Sequence, residues 1–310
     1  MILVTGATGF LGKQVCALLE QQGRPFVRAS LSLGTDLRDA AATQALFEQV
    51  FAGQEQRQVI HCAAFVGGIQ FGLKHAAELF HHNLAMTLSL LEACKQHGVQ
   101  RMVNPISNCA YPAAATLFKE DEFWDGPLHD SVLVYGFARK ASWVGAYAYH
   151  QQHGLDVLNL ILSNMYGPGD HFEPERSHAL GALIHRIHEA KRQGAPELVV
   201  WGSGKPVREW LHVEDGAEAL VRGLDAPPCV EPVNIGVASG ISILDMAQLI
   251  ADELGYPGQL RTDPSKPDGA PYKTVDGSRG EALLGWRPQR EFRQGVRDTI
   301  NWYLKNHHHA

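Results

Sequence analysis

The glycine loop near the start of the chain constrains the fold more than any other feature. Gly6, Gly9 and Gly12 lie three residues apart, directly after the apolar run Ile2–Thr5 and at the start of a helical pattern. A Cβ in such a loop would block the tight turn and the approach of a pyrophosphate to the backbone amides. The helix that follows presents its N-terminal N–H groups to the same anion. The loop therefore predicts a dinucleotide site.

The rest of the pattern predicts an α/β fold. Over residues 1–165, strand patterns at 2–5, 25–28, 58–62, 101–106 and 156–162 alternate with helical patterns at 11–22, 40–52, 73–97 and 135–153. This alternation is typical of a Rossmann-type doubly wound parallel sheet. Helical patterns at 177–192, 213–224, 242–255 and 292–305 and a strand at 198–200 follow. We expect a nucleotide-binding domain over 1–165, with returning segments near 206–240, and a smaller C-terminal α/β substrate lobe over 166–310.

Composition excludes several classes of protein. The 310 residues carry 27 Lys and Arg against 33 Asp and Glu, a net charge of −6, and no basic run, which argues against a nucleic-acid partner. No apolar run approaches the ~20 residues that cross a bilayer, so we expect no membrane span. Five scattered cysteines without a Cys-x-x-Cys pair predict a reduced, cytoplasmic protein. The 16 histidines form no set with metal-ligand spacing, and we expect no metal.

The end of the second strand indicates which dinucleotide is bound. An NAD site usually places a carboxylate there to bind the ribose, whereas an arginine accommodates the 2′-phosphate of NADP. This chain has Arg28 and Ser30 and no acid, which favours NADP(H). The alternative is that Arg28 is a solvated charge at the strand end. Asp36 and Leu37 are candidates for the adenine edge.

Further motifs carry a resemblance to a known family. They are Ser107-Asn108-Cys109-Ala110-Tyr111-Pro112, Tyr135 on a long helix, Asn164-Met165-Tyr166-Gly167-Pro168-Gly169-Asp170, Ser177-His178, Trp201-Gly202-Ser203-Gly204, Arg208-Glu209-Trp210-Leu211-His212-Val213 and Lys266-Pro267-Asp268-Gly269. With the glycine loop they resemble the extended short-chain dehydrogenases/reductases of the NAD-dependent epimerase/dehydratase family, and among these the GDP-L-fucose synthases. The resemblance covers nearly the whole chain.

The resemblance implies where the cofactor and a GDP-sugar bind. The cofactor residues are Gly6, Thr8, Gly9, Phe10, Leu11, Gly12, Arg28, Ser30, Asp36, Leu37, Ala63, Ala64, Tyr135, Arg139, Leu162, Asn164, Met165 and His178. The substrate residues are Val66, Gly67, Ser107, Asn108, Asn164, Arg186, Trp201, Arg208, Lys266 and Asp276. Taken alone, each arginine would be a solvated charge and Trp201 a core aromatic residue.

The reduction chemistry requires a proton donor for the developing alkoxide. Tyr135 is expected to supply the proton and Ser107 a hydrogen bond, with a cation four residues after the tyrosine. The family has lysine there, but this chain has Arg139, followed by Lys140. At 100° per residue, Arg139 lies about 40° from Tyr135 and Lys140 about 140° away. We favour a Tyr135/Arg139 pair that supports reduction. The alternatives are a helix irregularity that returns Lys140 to the tyrosine, and an enzyme with weakened reductase activity.

Epimerisation needs an acid and a base on opposite sides of a carbon next to a ketone. By resemblance these are Cys109 and His178; alone, Cys109 would be a small buried residue and His178 a surface histidine. A dehydratase would carry an Asp-Glu pair where Asn108-Cys109 stand, so dehydration is not expected. The expected activity is NADP-dependent epimerisation at C3 and C5 and reduction at C4 of a GDP-4-keto-sugar. Alternatives are a non-reducing GDP-sugar epimerase or a non-catalytic cofactor sensor.

Two further properties follow from the resemblance. The sugar is left open among a 6-deoxyhexose, a heptose and a modified hexose, because the stretches around 69–80 and 113–133 differ from the family. Relatives commonly dimerise through the helices predicted at 73–97 and 135–153, so we expect a homodimer.

Overall fold

A computed structural model describes residues 1–173, 176–266, 268 and 271–307. Along the chain its strands are β1 Ile2–Thr5, β2 Phe26–Ala29, β3 Gln58–His61, β4 Arg101–Ser107, β5 Leu117–Phe118, β6 Val157–Leu162, β7 Asn164–Tyr166, β8 Glu197–Trp201, β9 Val207–Arg208, β10 Trp210–His212, β11 Val233–Ile235, β12 Ile241–Ser242, β13 Gln259–Asp263 and β14 Tyr272–Val275. Its α-helices are α1 Phe10–Gln21, α2 Ala40–Phe51, α3 Ile69–Lys74, α4 Ala76–Gln96, α5 Leu133–His153, α6 Ala179–Arg192, α7 Val213–Gly223, α8 Ile243–Leu254, α9 Ser278–Leu284 and α10 Phe292–Asn306.

A six-stranded parallel sheet forms the centre of the molecule, in the order β11-β6-β4-β3-β1-β2. Its strands are buried on both sides because helices cover both faces. Val15 of α1 and Leu220 of α7 pack on one face, and Phe47 of α2 and Leu90 of α4 on the other. The predicted Rossmann-type sheet is confirmed, and β11 brings part of the later chain into it.

Parallel strands end at one edge, and this places the functional side chains together. Thr5 of β1 pairs with His61 of β3, and Ser107 of β4 pairs with Leu162 of β6. The loops that follow these strands therefore meet at the carboxyl edge, where ligands bind in sheets of this kind.

The remaining chain builds a second, smaller set of layers. β5, β9, β12 and β14 form a four-stranded sheet, and β7 pairs with β10 and β8 with β13 in two-stranded parallel sheets. α6, α8 and α10 pack around a separate apolar core that contains Ile184, Ile250 and Ile300. Most of these short strands were not predicted.

The helix predicted over 73–97 is wrong in its extent. The structure has two helices there, α3 and α4, separated at His75. His75 leaves the helical region, with φ −119° and ψ 37°, and its ring lies 4.7 Å from that of Phe71. The apolar pattern continues across the break, so no local pattern predicts it.

Within the described residues, no helix is both long and apolar enough to cross a bilayer. The same residues contain no group of three or more His, Cys, Asp and Glu side chains arranged to hold a metal ion.

Candidate active site

The glycine loop is packed too tightly for side chains at two of its glycines. Gly6 has φ +65°, and a Cβ there would lie 2.5 Å from the backbone nitrogen of Ala63. A Cβ on Gly12 would overlap the carbonyl oxygen of Gly6. Gly9 caps the N-terminus of α1 and is exposed, so the helix amides face an open space. This cradle fits the pyrophosphate of a dinucleotide.

The end of β2 carries hydroxyl groups, while its arginine is engaged elsewhere. The side chains of Thr8 and Ser30 lie 3.0 Å apart. Arg28 donates to Glu20 at 2.6 Å and lies over the ring of Phe26. Ser30 is therefore beside the glycine loop as predicted from its position, whereas Arg28 is paired with an acid of α1.

The adenine candidates follow in the next turn. Asp36 accepts hydrogen bonds from the guanidinium of Arg38, at 2.8 and 2.6 Å, and Leu37 is buried. The Arg38 hydrogen bond lowers the pKa of Asp36. Ala63 and Ala64 follow β3 after one intervening residue, and Leu162 ends β6, so these predicted cofactor residues lie at the carboxyl edge of the sheet.

The segments that carry Ser107, Cys109 and Tyr135 meet at one close contact. Ser107 ends β4, and its hydroxyl accepts a hydrogen bond from the Cys109 amide at 3.2 Å. This hydrogen bond caps the start of a short 3-10 turn. A Cβ on Gly136 would overlap the carbonyl oxygen of Cys109, so the first turn of α5 rests directly on that turn. Tyr135, half-buried, precedes this glycine.

Arg139 lies on the Tyr135 side of α5. Its guanidinium carbon is 5.1 Å from the centre of the Tyr135 ring, and the side chain is 4% exposed. It donates to the amide oxygen of Asn83 at 3.2 Å, while its Nε atom is buried without a hydrogen-bond partner. Burial lowers the pKa of the neighbouring His61 to about 3, and the Arg139 charge contributes. The cation beside Tyr135 is therefore an arginine with a free donor.

Lys140 lies in a different environment. Its ammonium is 4.7 Å from the ring centre of Phe123 and 4.4 Å from that of Trp124. Burial lowers the pKa of Lys140. α5 is α-helical from Leu133 to His153 without interruption, so no irregularity returns Lys140 to the tyrosine.

Cys109 has a cationic neighbour that sequence reasoning missed. Burial raises the pKa of the Cys109 thiol, and the Ser107 hydroxyl and the Lys273 ammonium oppose that rise. Lys273 lies on β14, in register with Arg208 of β9. Burial lowers the pKa of Lys273, and Cys109 opposes this. The strand Tyr272–Val275 is mixed in polarity, so its sequence carries no signal for this lysine.

Asn83, which accepts the hydrogen bond from Arg139, is a second residue near the site that was not predicted from the sequence. It is 3% exposed on α4, and its side chain bonds both backbone groups of Phe65. A polar side chain within the apolar pattern of a long helix was the sequence signal for it.

His178 lies at the N-cap of α6, across from the loop after β3. A Cβ on Gly68 would be 2.7 Å from the carbonyl oxygen of Ser177, so the Val66–Gly68 loop touches the residue before His178. His178 is exposed as a residue, and burial of its imidazole lowers its pKa. The predicted substrate residues Val66 and Gly67 are thus near His178.

A second group of predicted substrate residues lies in the smaller lobe. Arg186 donates to the carbonyl of Val199 at 2.6 Å, and its guanidinium carbon is 6.0 Å from the ring centre of Trp201, which is 67% exposed. Arg208 is half-buried, and the charge of Asp268 opposes the lowering of its pKa by burial. The Asp268 carboxylate accepts hydrogen bonds from both the amide and the hydroxyl of Ser203.

The other predicted positions are less closely connected. Asn164 donates to the carbonyl of Glu209 at 3.0 Å, and Met165 packs against Gly216 of α7. Asp276 accepts a hydrogen bond from the backbone amide of Ser278, the first residue of α9, while Lys266 is exposed. Asn108 belongs to the 3-10 turn with Cys109. Pro267 and Gly269 of the predicted Lys-Pro-Asp-Gly segment lie outside the described residues.

The parallel sheet, the glycine cradle and the Ser107/Tyr135 pair define an extended short-chain dehydrogenase/reductase. Comparison with known proteins gives the same class. The NAD dependent epimerase/dehydratase family matches residues 2–236, and the chain belongs to that family.

Individual relatives match over almost the full length. GDP-L-fucose synthase 1 of Arabidopsis thaliana is 38% identical over 306 residues, covering 98% of this chain and 93% of the relative. GDP-L-fucose synthase of Escherichia coli is 33% identical over 315 residues, covering 98% and 97%. The crystal structure of a GDP-L-fucose synthetase from Naegleria fowleri bound to NADP superposes with a TM-score of 0.88 at 29% identity, covering 100% of this chain and 95% of that one.

Proposed function

We propose that this protein is an NADP-dependent epimerase and reductase of a GDP-4-keto-sugar, with GDP-4-keto-6-deoxymannose as the substrate to test first. The convergence of Ser107, Cys109 and Tyr135–Arg139 beside the glycine cradle carries this proposal. The names of the relatives support the GDP-sugar, and the NADP-bound relative supports the cofactor. The 1–165 domain would hold the cofactor, and the lobe over 166–310 would hold most of the sugar nucleotide.

In the reductive step, the chain's own groups stabilise charge at the carbonyl oxygen. NADPH, when bound, supplies the hydride that the carbonyl carbon accepts. The Tyr135 hydroxyl gives its proton to the developing alkoxide, and the Ser107 hydroxyl donates a hydrogen bond to the same oxygen. Arg139 stabilises the tyrosinate that remains, and its free Nε–H is available for a ribose hydroxyl of the cofactor.

In the epimerisation step, Cys109 and His178 act on a carbon that the neighbouring ketone makes acidic. Before substrate binds, the raised pKa of Cys109 and the lowered pKa of His178 keep both groups neutral at pH 7. A neutral imidazole takes a proton from one face of the carbon, and the thiol returns one to the other face. The Lys273 ammonium stabilises the thiolate that results.

The sugar nucleotide would span the two lobes. Arg186 and Arg208 offer guanidinium groups to the diphosphate, and burial, which lowers the pKa of each, means that few waters compete there. The exposed ring of Trp201 offers a face for stacking the base.

The test is incubation with NADPH and GDP-4-keto-6-deoxymannose, with NADPH loss followed by absorbance and product stereochemistry by NMR. We expect a product inverted at C3 and C5 and reduced at C4, and Ser107→Ala is expected to slow NADPH loss. Inversion without NADPH consumption would instead indicate the non-reducing epimerase. No turnover of this sugar, of a C6-modified analogue or of a heptose analogue would reject the proposal.

We further propose a homodimer formed through α4 and α5. Both helices expose large apolar side chains, including Leu88 at 61%, Val144 at 44% and the pair Phe80 and Phe137, whose rings lie 6.4 Å apart. Exposed apolar surface of this kind marks an interaction site. Light scattering is expected to give twice the chain mass, and Leu88→Glu to give a monomer.

We also propose that the protein works in the cytoplasm. Its five cysteines are all free, as expected where thiols stay reduced. Fractionation of the source cells, with the protein detected by antibody, would test this assignment.

A further inference from the structure

Three hydroxyl groups form a closed triangle beside the glycine loop. The Oγ1 atom of Thr8 lies 3.0 Å from the Oγ of Ser30 and 2.8 Å from the Oγ of Ser32. The two serine oxygens are 3.1 Å apart. Thr8 belongs to the loop itself, Ser30 follows β2, and Ser32 lies in the 3-10 turn Leu31–Leu33. Thr8 and Ser32 are exposed, whereas Ser30 is buried.

This triangle occupies a defined place in a dinucleotide site. The glycine loop and the end of the second strand flank the 2′ position of the adenosine ribose. Recognition there usually depends on a carboxylate for a ribose hydroxyl or on an arginine for a 2′-phosphate. No carboxylate belongs to the triangle or to the turn that carries it.

The arginines of this region are all paired with acids. Arg28, two residues before Ser30, bonds Glu20 at 2.6 Å. The other two pairs are Arg24 with Asp225 and Arg38 with Asp36, each at 2.6 Å. Lys13, one residue after the glycine loop, is exposed at the start of α1.

Hydroxyl groups can distinguish the two cofactors without a cation. Each of the three can turn its proton toward an incoming acceptor, because a hydroxyl rotates and both donates and accepts. A phosphate accepts several such bonds, and bonds to a charged acceptor are stronger than bonds to a neutral one. A ribose hydroxyl makes fewer hydrogen bonds to these three groups than a phosphate does. Discrimination by neutral donors also depends less on salt than an ion pair does.

We propose, resting on the proposed function, that Thr8, Ser30 and Ser32 recognise the 2′-phosphate of NADP(H), and that the ion pair with Glu20 keeps Arg28 out of that site. The cofactor preference of this chain therefore comes from hydroxyl groups and not from a guanidinium.

The test measures dissociation constants of NADPH and NADH by calorimetry, without substrate. The double variant Thr8→Val, Ser32→Ala is expected to lower the ratio of NADH to NADPH dissociation constants by about tenfold or more, because NADPH affinity falls much more than NADH affinity. Lys13→Gln and Arg28→Gln are expected to leave the ratio within about twofold. The wild-type ratio is expected to change less than about threefold between about 50 and about 300 mM salt.

Two outcomes would overturn this inference. One is a loss of NADPH preference in Arg28→Gln, which would show that Arg28 leaves Glu20 on binding. The other is an unchanged ratio in the double variant, with thermal unfolding confirming that it is folded. If the wild type binds neither dinucleotide, the proposed function itself fails. Glu20→Gln gives a further check, because releasing Arg28 is expected to raise NADPH preference and its salt dependence.

Discussion

Replacing Arg139 by methionine is the sharpest test of the proposed reduction chemistry. Methionine is neutral and fills much of the same buried space. The guanidinium carbon lies 5.1 Å from the centre of the Tyr135 ring, and at an effective dielectric constant of about 20 a charge at that distance stabilises a tyrosinate by about 3 kcal/mol. Because Arg139 is buried, solvent screens this little. Loss of about 3 kcal/mol corresponds to about a 100-fold slower reduction.

Lys140→Met is the matched control, because it makes the same substitution one residue later on the same helix. Lys140 contacts Phe123 and Trp124, so we expect a reduction rate within about threefold of wild type. Arg139→Lys is expected to recover most of the rate, since it restores the charge but loses the fork that Asn83 engages.

The assay is single-turnover NADPH oxidation with saturating keto-sugar, accompanied by thermal unfolding of each variant. Measuring one turnover separates the chemical step from product release. A slow step in Lys140→Met together with a normal one in Arg139→Met would refute the assignment of Arg139 as the cation that acts on Tyr135.

Three further predictions concern the other groups. Cys109→Ala is expected to abolish inversion at the epimerised carbons while NADPH still binds; retained inversion, read by NMR, would remove Cys109 from the mechanism. Lys273→Met is expected to slow that inversion by about tenfold, because the thiolate loses its cation. Lys119→Met, at an exposed lysine, is the control, and equal inversion rates in the two variants would contradict the role of Lys273. Burial lowers the pKa of His61 to about 3, whereas an unfolded histidine has a pKa of about 6.5. The folded state therefore binds fewer protons, and the free energy of unfolding falls as pH drops below about 6.5, by up to about 1.4 kcal/mol per pH unit. Urea titrations are expected to show a shallower fall for His61→Gln than for the wild type. An identical fall in the two proteins would contradict this.

Much of the central fold could be predicted because its signals are local. The glycine spacing, the bounds of β1 at Ile2–Thr5 and the long helix that carries Tyr135 depend on short-range periodicity and on turn chemistry. The short strands of the smaller lobe carry no such period. β9 has two residues, and it forms only because β14 and β12 approach it from distant parts of the chain.

The site was predictable where a residue follows a strand and unpredictable where it depends on a neighbouring element. Ser107 ends β4 and Cys109 lies two residues further on, so the rule that ligands bind at the carboxyl edge of the sheet identifies both. Lys273 reaches Cys109 from β14, and Asn83 reaches Arg139 from α4 across 56 positions. Arg28 shows the reverse case, because its position indicated a phosphate while Glu20, on the preceding helix α1, pairs with its guanidinium.

The rotation of α5 explains why two adjacent cations have such different surroundings. Gly136 touches the carbonyl of Cys109, and Lys140, four residues on, shares that face of the helix and meets Phe123. Tyr135 and Arg139 are likewise four residues apart on the neighbouring face. To place Lys140 beside the tyrosine, the helix would have to turn by about 100° after Tyr135, which would remove Arg139 from Asn83 and the lysine from its aromatic contacts. The contact at Gly136 admits no side chain and thereby fixes the rotation, so we expect arginine to be the cation that supports any chemistry at Tyr135.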